Sequence, residues 1–215
     1  MPEKIADRNI VILPPEKVME AAIAKSVEIS KQHKTNFVLN KKDQWPHLTL
    51  HQFAIPERNL GKMKAIVREA AKARKPFTVR LMGLSVFGGG GLFWDAEKTE
   101  VLWQLHKELV TKIVPLQEEY IMKQHAPFIT GEADVDILKR RSMHRYGHPL
   151  ANTESMDPPF WPHITITSCK TKQEAEQLAA QFSMPPMEFE AATLHIAGVG
   201  PSGTCPGSLE EIALG

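Results

Sequence analysis

The first half of the chain alternates short apolar runs with longer segments of helical spacing. Residues 10–13 are an apolar run closed by Pro14 and Pro15, which is typical of a short strand. Over 16–32, apolar residues recur every three or four positions, as on one face of an amphipathic helix. The same criteria predict strands at 37–39 and 48–55, a helix over 60–73, and one strand or two at 77–87.

The second half repeats this alternation around one long irregular stretch. Four glycines at 88–91 lack the Lys and Ser/Thr of a phosphate loop and predict a hairpin tip before a strand at 92–94. A helix over 97–114 is expected to end at Pro115, with 117–124 extending it after a kink. A second helix is predicted over 171–182, where Thr171 and Glu174 form a capping-box pattern. Strands are predicted at 163–168, 189–199 and 209–214, while 127–159 shows no periodicity.

One motif occurs twice. The sequence Trp-Pro-His-Leu-Thr-Leu at 45–50 returns as Trp-Pro-His-Ile-Thr-Ile at 161–166, so that His163 follows His47 by 116 residues. Side chains two residues apart share one face of a strand. Each copy therefore presents a histidine and a threonine on one face, His47 with Thr49 and His163 with Thr165. The residues between them form an apolar face for the core.

The repeat indicates an imperfect internal duplication. Strands and helices surround the motif in each half, and the separation of the two copies is just over half of the 215-residue chain. We therefore predict two lobes that face each other across a groove. A single bilobal domain over 1–215 is expected, with an insert or loop at about 127–160.

Composition and charge exclude several classes of protein. The formal net charge of +1 argues against a protein that coats nucleic acid by charge alone, but it suits a small nucleotide or an RNA end in a local pocket. Cys169 and Cys205 fit no spacing typical of zinc ligands, and two cysteines in a chain of this length favour a reducing intracellular environment. The polar start and the lack of a long apolar stretch predict a cytoplasmic protein with no membrane segment. No obligate protein partner is evident.

The paired His-x-Thr-x strands, with Pro directly before each His, resemble the two-histidine phosphoesterase superfamily. The superfamily includes 2′-5′ RNA ligase-like proteins and 2′,3′-cyclic nucleotide phosphodiesterases. The resemblance implies an α+β fold of two pseudo-symmetric lobes, with antiparallel sheets forming a concave cleft and helices outside. It implies His47 and His163 as the catalytic pair, Thr49 and Thr165 as the phosphate-binding residues, and no metal or other cofactor.

These residue types suit the opening of a cyclic phosphodiester. One group must take a proton from the nucleophile and another must give one to the leaving oxygen, and histidine does either near its reference pKa of about 6.5. Hydroxyls on the same face can donate to the non-bridging oxygens, where charge accumulates. The sequence leaves open which histidine is base and which is acid, and hence whether a 2′- or a 3′-phosphate is formed.

Five further residues are candidate substrate contacts. His51 shares the predicted strand face of His47 and Thr49, as a third polar group in the cleft or, as we favour, at its rim. Trp45 and Trp161 would stack on bases or, the stronger interpretation, pack at the strand entry. Arg145 and Tyr146, in the insert, would contact a phosphate or a ribose, or lie in a solvated loop. His195 is expected to be a hydrogen-bonded core or edge histidine.

Two alternatives to the phosphodiesterase remain at this stage. One is a protein that binds nucleotides or RNA ends with little turnover. The other is a metallohydrolase that uses His47, His51 and His163, although neither motif strand carries the carboxylate that often completes such a site.

Overall fold

The computed structural model describes residues 3–87, 89–122 and 160–215, which form an α+β fold. The remaining residues of the predicted insert, including Arg145 and Tyr146, lie outside the described part. In chain order the elements are β1 (Ile5–Ile12), α1 (Glu16–Gln32), β2 (Leu48–Pro56), α2 (Leu60–Lys72), β3 (Phe77–Phe87), β4 (Gly91–Ala96), α3 (Glu100–Gln117), β5 (His163–Ser168), α4 (Lys172–Gln181), β6 (Met187–Ala191), β7 (Thr193–Gly198) and β8 (Ser208–Ala213).

The eight described strands form one antiparallel sheet in the order β6-β3-β4-β5-β2-β1-β7-β8. Each half of the sheet has four of these strands, and each contributes one motif strand, β2 or β5, to the centre. The halves meet where Leu48 pairs with Ile164. The two predicted lobes are therefore confirmed as halves of a continuous sheet.

The sheet is strongly curled, because consecutive strands lie near its opposite ends. β6 pairs with β3 in one half and β7 pairs with β1 in the other, yet only Ala192 separates β6 from β7. The chain spans this step only if the two ends of the sheet approach each other. The predicted single strand over 189–199 is wrong for the same reason, since Ala192 is where the chain passes from one half to the other.

The apolar core lies on one face of the sheet, beneath the four described helices. The motif residues Leu48, Leu50, Ile164 and Ile166 are almost fully buried there, as predicted. α1 packs against β5, α4 against β3 and β4, and α3 against β2, while α2 packs against α3 and β8. The opposite, concave face is left for the polar motif residues.

Local sequence signals account for the helix ends. α1 has the predicted bounds and begins after Pro15, whose φ of −65° suits the entry to a helix. α4 begins with the predicted capping box, in which Thr171 Oγ1 accepts from the Glu174 N–H and the Glu174 carboxylate accepts from the Thr171 N–H. The predicted hairpin is also present, since Phe87 pairs with Gly91 across a turn at Gly89 and Gly90; Gly88 lies outside the described residues.

Three further predictions about regular structure are wrong. Residues 37–39 are not a strand, because their backbone bonds to side chains: the Leu39 N–H donates to Ser26 Oγ, and the Phe37 carbonyl accepts from Thr167 Oγ1. α3 does not stop at Pro115 but runs to Gln117. Pro115 lacks the N–H that would donate to the carbonyl four residues earlier, but the loss of this one bond does not prevent the last two residues from completing the helix. The described residues beyond it, 118–122, do not extend the helix, since Glu118 turns into the left-handed region at φ 52°.

Every helix within the described ranges is too short or too polar to cross a bilayer.

Candidate active site

Each motif strand contains a register shift at the same place. Ile10 and Val11 of β1 are consecutive, but they pair with His51 and Thr49, so Leu50 is an extra residue in β2. In the other half, Leu92 and Phe93 of β4 pair with Thr167 and Thr165. Ile166 is therefore the extra residue there. The duplication extends to a β-bulge three residues after each histidine.

The bulge decides which polar side chains reach the concave face. An extra residue re-aims the side chains that follow it. His47 and Thr49, which precede the bulge, face the cleft, whereas His51, which follows it, turns toward α3. His51 is 1% exposed and stacks on Phe53, and its Nε2 lies 3.0 Å from Gln117 Nε2. The prediction that His51 shares the face of His47 and lies in the cleft or at its rim is therefore wrong.

The central pairing brings the two motifs together. β2 and β5 are antiparallel and Leu48 faces Ile164. Counting outward from this pair, His47 lies across from Thr165, and Thr49 lies across from His163. Diagonal neighbours on adjacent strands are about 7–8 Å apart, so this register would bring His47 and His163 near each other. Consistently, His47 and Thr165 line one pocket together with Phe37, Leu39, Trp45 and residues 202–204.

Both histidines are oriented by the same backbone contact. His47 Nδ1 lies 2.8 Å from the Trp45 carbonyl oxygen, and His163 Nδ1 lies 2.6 Å from the Trp161 carbonyl oxygen. A carbonyl only accepts hydrogen bonds, so in each neutral imidazole the proton is on Nδ1. Nε2 is then the basic nitrogen, the atom that would exchange a proton with a nucleophile or a leaving group.

The two histidines differ in their surroundings. His47 is 8% exposed, and burial lowers its pKa, while the hydrogen bond to the Trp45 carbonyl opposes that shift by favouring the charged form. His163 is half-buried, and the centre of its ring lies 4.2 Å from that of Phe93. The duplication thus gives one imidazole an enclosed setting and the other an aromatic neighbour.

Phe93 reaches His163 across a glycine. A Cβ on Gly91 would overlap Cζ of Phe93, so the ring occupies the place of the missing side chain. Asp95, which pairs with His163, accepts hydrogen bonds from Ser85 Oγ at 2.7 Å and from Trp161 Nε1 at 3.1 Å. Neither Phe93 nor Asp95 was predicted from the sequence, since neither belongs to the repeat.

The tryptophans before the histidines serve different halves of the sheet. Trp45 is half-buried against Val11, Ala197 and Cys205 and also lines the pocket beside His47, so its stacking on a base stays a prediction. Trp161 is 52% exposed, and the prediction that it packs at the strand entry is wrong. Its indole N–H is bound to Asp95 on the concave side of β4. His195 is a buried, hydrogen-bonded histidine between Thr193 and Ser208, as predicted.

A buried polar cluster lies behind the first bulge. It comprises His51, His106 and Gln117, and His106 Nδ1 lies 2.5 Å from the carbonyl oxygen of Leu50, the extra residue. Three polar atoms of this cluster, His51 Nδ1, His106 Nε2 and Gln117 Oε1, lack a hydrogen-bond partner within the described part of the chain. Burial lowers the pKa of His106 to about 4 and that of His51 well below 6.5. Both imidazoles are therefore neutral at physiological pH.

Comparison with known proteins agrees with this geometry. The family model for the 2′-5′ RNA ligase superfamily matches residues 19–198, which include both motifs. The chain belongs to the 2′-5′ RNA ligase superfamily. A Bacillus licheniformis protein named as a phosphoesterase is 28% identical over 146 residues, which cover 65% of this chain and 82% of that protein. Membership supports phosphoesterase activity in general terms.

Solved structures share the fold of this superfamily member. TT0787 of Thermus thermophilus is 20% identical, with 97% of each chain covered and a TM-score of 0.60. Escherichia coli LigT in complex with ATP is 14% identical, with 98% of this chain and 99% of LigT covered and a TM-score of 0.57. LigT in complex with 3′-AMP matches over the same shares, at 14% identity and a TM-score of 0.53.

The tautomers can be tested directly. In ligand-free protein at pH 8 we expect both His47 and His163 to carry their proton on Nδ1, because each Nδ1 faces a carbonyl oxygen. Long-range ¹H–¹⁵N correlation spectra, assigned with His47→Gln and His163→Gln, distinguish the two nitrogens. A protonated Nε2 at either residue would contradict the orientation described above.

Gly91→Ala should disturb His163 without touching it. The new Cβ would overlap the Phe93 ring, which must swing away and lose its contact with the imidazole. We expect the His163 ring resonances to shift and its NMR-measured pKa to change. Gly61→Ala, in α2 with nothing within 4 Å of the new Cβ, is the matched control and should leave both unchanged.

The buried histidines predict a loss of stability in acid. The unfolded chain protonates them near pH 6.5, whereas folded His106 resists until about pH 4, so the unfolded state binds more protons over this interval and the free energy of unfolding falls as pH falls. For His106 alone the loss approaches about 3 kcal/mol. Urea unfolding at pH 7, 6, 5 and 4 measures it. His106→Gln should flatten the dependence, and His33→Gln, at a half-exposed position, should not.

Proposed function

We propose that this chain is a metal-independent phosphodiesterase that hydrolyses 2′,3′-cyclic phosphates or 2′-5′ phosphodiester linkages of nucleotides or RNA ends. One observation carries the proposal: the β2–β5 register sets each motif histidine across from the threonine of the other motif. This register supports a site in which two imidazoles and two hydroxyls would act together on one phosphate diester.

In the proposed mechanism one imidazole is neutral and the other is protonated when substrate binds. The neutral Nε2 takes the proton of the attacking water, and the protonated Nε2 gives its proton to the ribose oxygen that leaves phosphorus. General acid–base catalysis of this kind contributes about 10²–10⁴-fold. Thr49 and Thr165 donate to the non-bridging oxygens, whose negative charge grows in the transition state.

The surroundings of the site favour a compact substrate. The pocket beside His47 is bounded by the aromatic rings of Phe37 and Trp45, which suit the face of a base. The net charge of +1 gives no general attraction for a long nucleic acid. LigT, which shares the fold, has been crystallised with 3′-AMP and with ATP, and this supports a nucleotide as the substrate class here. Two unpaired cysteines support a cytoplasmic location.

The three histidines that the metallohydrolase alternative requires do not lie together. It requires His47, His51 and His163 around one ion, but the bulge at Leu50 turns His51 into the core on the other face of the sheet. Within the described residues, no three His, Cys, Asp or Glu side chains form a group that could hold a metal. The binding-protein alternative differs from the proposal only in turnover.

The test is a hydrolysis assay in EDTA with 2′,3′-cyclic mononucleotides, 2′-5′ dinucleotides and RNA ending in a cyclic phosphate. We expect turnover of at least one substrate with a bell-shaped pH profile, whose two limbs belong to the histidine pair. His47→Ala and His163→Ala should each lower kcat by roughly 10²-fold or more, and the double variant should lose much less than the product, because the two act as a unit.

His33→Ala, at the end of α1, is the control histidine and should retain wild-type turnover. Thr49→Ala or Thr165→Ala should lower kcat by roughly 10²–10³-fold at most, the loss of one phosphate donor. Substrate binding without turnover in any of the three assays would favour the binding protein. Abolition of activity by EDTA, or near-normal turnover in either histidine variant, would refute the mechanism.

A further inference from the structure

The two halves of the site differ at one equivalent position. Five residues after His47, Gln52 pairs with Asn9 of β1, and five residues after His163, Ser168 pairs with Gly91 of β4. Asn9 and Gly91 are therefore counterparts. In the second half the glycine makes room for Phe93 beside the histidine, whereas in the first half the position carries a polar side chain.

Asn9 lies under Thr49 and is completely buried. Its Nδ2 donates to Thr49 Oγ1 at 3.2 Å, and its Oδ1, also buried, has no hydrogen-bond partner among the residues that the structure describes. Two of its neighbours are apolar, Val11 two residues along β1 and Ala197, its partner on β7, while its partner on β2 is Gln52. An unsatisfied amide oxygen in such a place is costly, and a costly group of this kind calls for a reason other than stability.

The hydrogen bond fixes what the Thr49 hydroxyl can do. A hydroxyl has one proton and two acceptor lone pairs, and its proton rotates to suit its partners. With Asn9 Nδ2 donating into the oxygen, the Thr49 proton points away from Asn9 and is left for another acceptor. Thr49 is then held as a donor before any substrate arrives, which is the preorganisation that phosphate-charge stabilisation requires.

We propose that Asn9 is a positioning residue that holds the hydroxyl of Thr49 as a hydrogen-bond donor to the substrate phosphate. The expected effect of Asn9 on kcat rests on the proposed function. The orientation of the Thr49 hydroxyl rests only on its hydrogen bond to Asn9. Thr165 has no counterpart of Asn9, because Gly91 occupies that position. The two threonines are therefore not equivalent: Asn9 holds Thr49 in advance, and Gly91 offers Thr165 no such side-chain donor.

Three substitutions at Asn9 distinguish orientation from packing. Asn9→Ala removes the donor and should lower kcat for the 2′,3′-cyclic nucleotide roughly 5–50-fold, with little change in KM, because the contact with Thr49 matters most as charge develops. Asn9→Asp replaces the donor by an acceptor that captures the Thr49 proton, so the loss should be larger, roughly 10²-fold. Asn9→Gly copies the second half and should behave as Asn9→Ala.

Double-mutant cycles distinguish an orienting role of Asn9 from a purely structural one. In a Thr49→Val background, Asn9→Ala should change kcat by less than about twofold, since the hydroxyl that it orients is gone. In a Thr165→Val background, Asn9→Ala should retain its full effect, because the hydrogen bond of Asn9 goes to Thr49. Equal losses in both backgrounds would show that Asn9 acts through general stability and would overturn the proposal.

Binding of inorganic phosphate by calorimetry separates this proposal from the proposed function. Suppose that wild-type protein hydrolyses no substrate but binds phosphate, and that Asn9→Asp weakens this binding only when Thr49 is present and not in a Thr49→Val background. The proposed function then fails, and the role of Asn9 stands. If wild-type protein is an active phosphodiesterase and Asn9→Asp retains wild-type kcat and phosphate affinity, the role of Asn9 fails and the function stands.

Discussion

The site depends on a single backbone pairing between two half-sheets, Leu48 with Ile164. Elsewhere in the sheet, neighbouring strands pair over at least four residues, so each half is internally well determined. The central contact is short, and yet it alone sets which residue of one motif faces which residue of the other. A slip of one residue there would separate His47 from Thr165 and send one motif's polar residues into the core. The buried leucine and isoleucine residues on the helix side oppose that slip, because exposing them would cost about 1.5–3 kcal/mol each.

The bulges at Leu50 and Ile166 explain what the sequence could and could not predict. Alternation within each motif correctly indicates that His47 and Thr49 share a face, since both precede the bulge. Beyond it the same rule fails, and His51 was wrongly assigned to the cleft. No local composition marks Leu50 as an extra residue, because the signal lies in the pairing with β1, which a single strand's sequence does not contain. In the second motif, Thr167 likewise follows the bulge and is buried. No site residue was predicted at this position, so the bulge caused no error there.

Helices were easier to predict than the groups around the histidines, for a physical reason. α1 and α4 are defined by local features, a proline at one entry and a capping box at the other. The partners of the histidines come instead from strands and helices distant in sequence: Phe93 and Asp95 from β4, Asn9 from β1 and His106 from α3. A motif repeat identifies the candidate reacting groups because both copies carry them. It says nothing about the surrounding residues, in which the two copies differ.

That difference gives the duplicated scaffold two unlike halves. A symmetric pair of histidines in identical settings would have the same proton affinity, whereas general acid–base catalysis needs one neutral and one charged. The enclosed setting of His47, which lowers its pKa, and the aromatic neighbour of His163 break this equivalence. The cluster of His51, His106 and Gln117 lies behind the His47 strand, where it holds the Leu50 carbonyl with neutral imidazoles and leaves three polar atoms without partners among the described residues. Its cost in stability is thus concentrated behind the strand that carries His47. In the second half, the Thr167 hydroxyl beside the bulge donates instead to the Phe37 carbonyl.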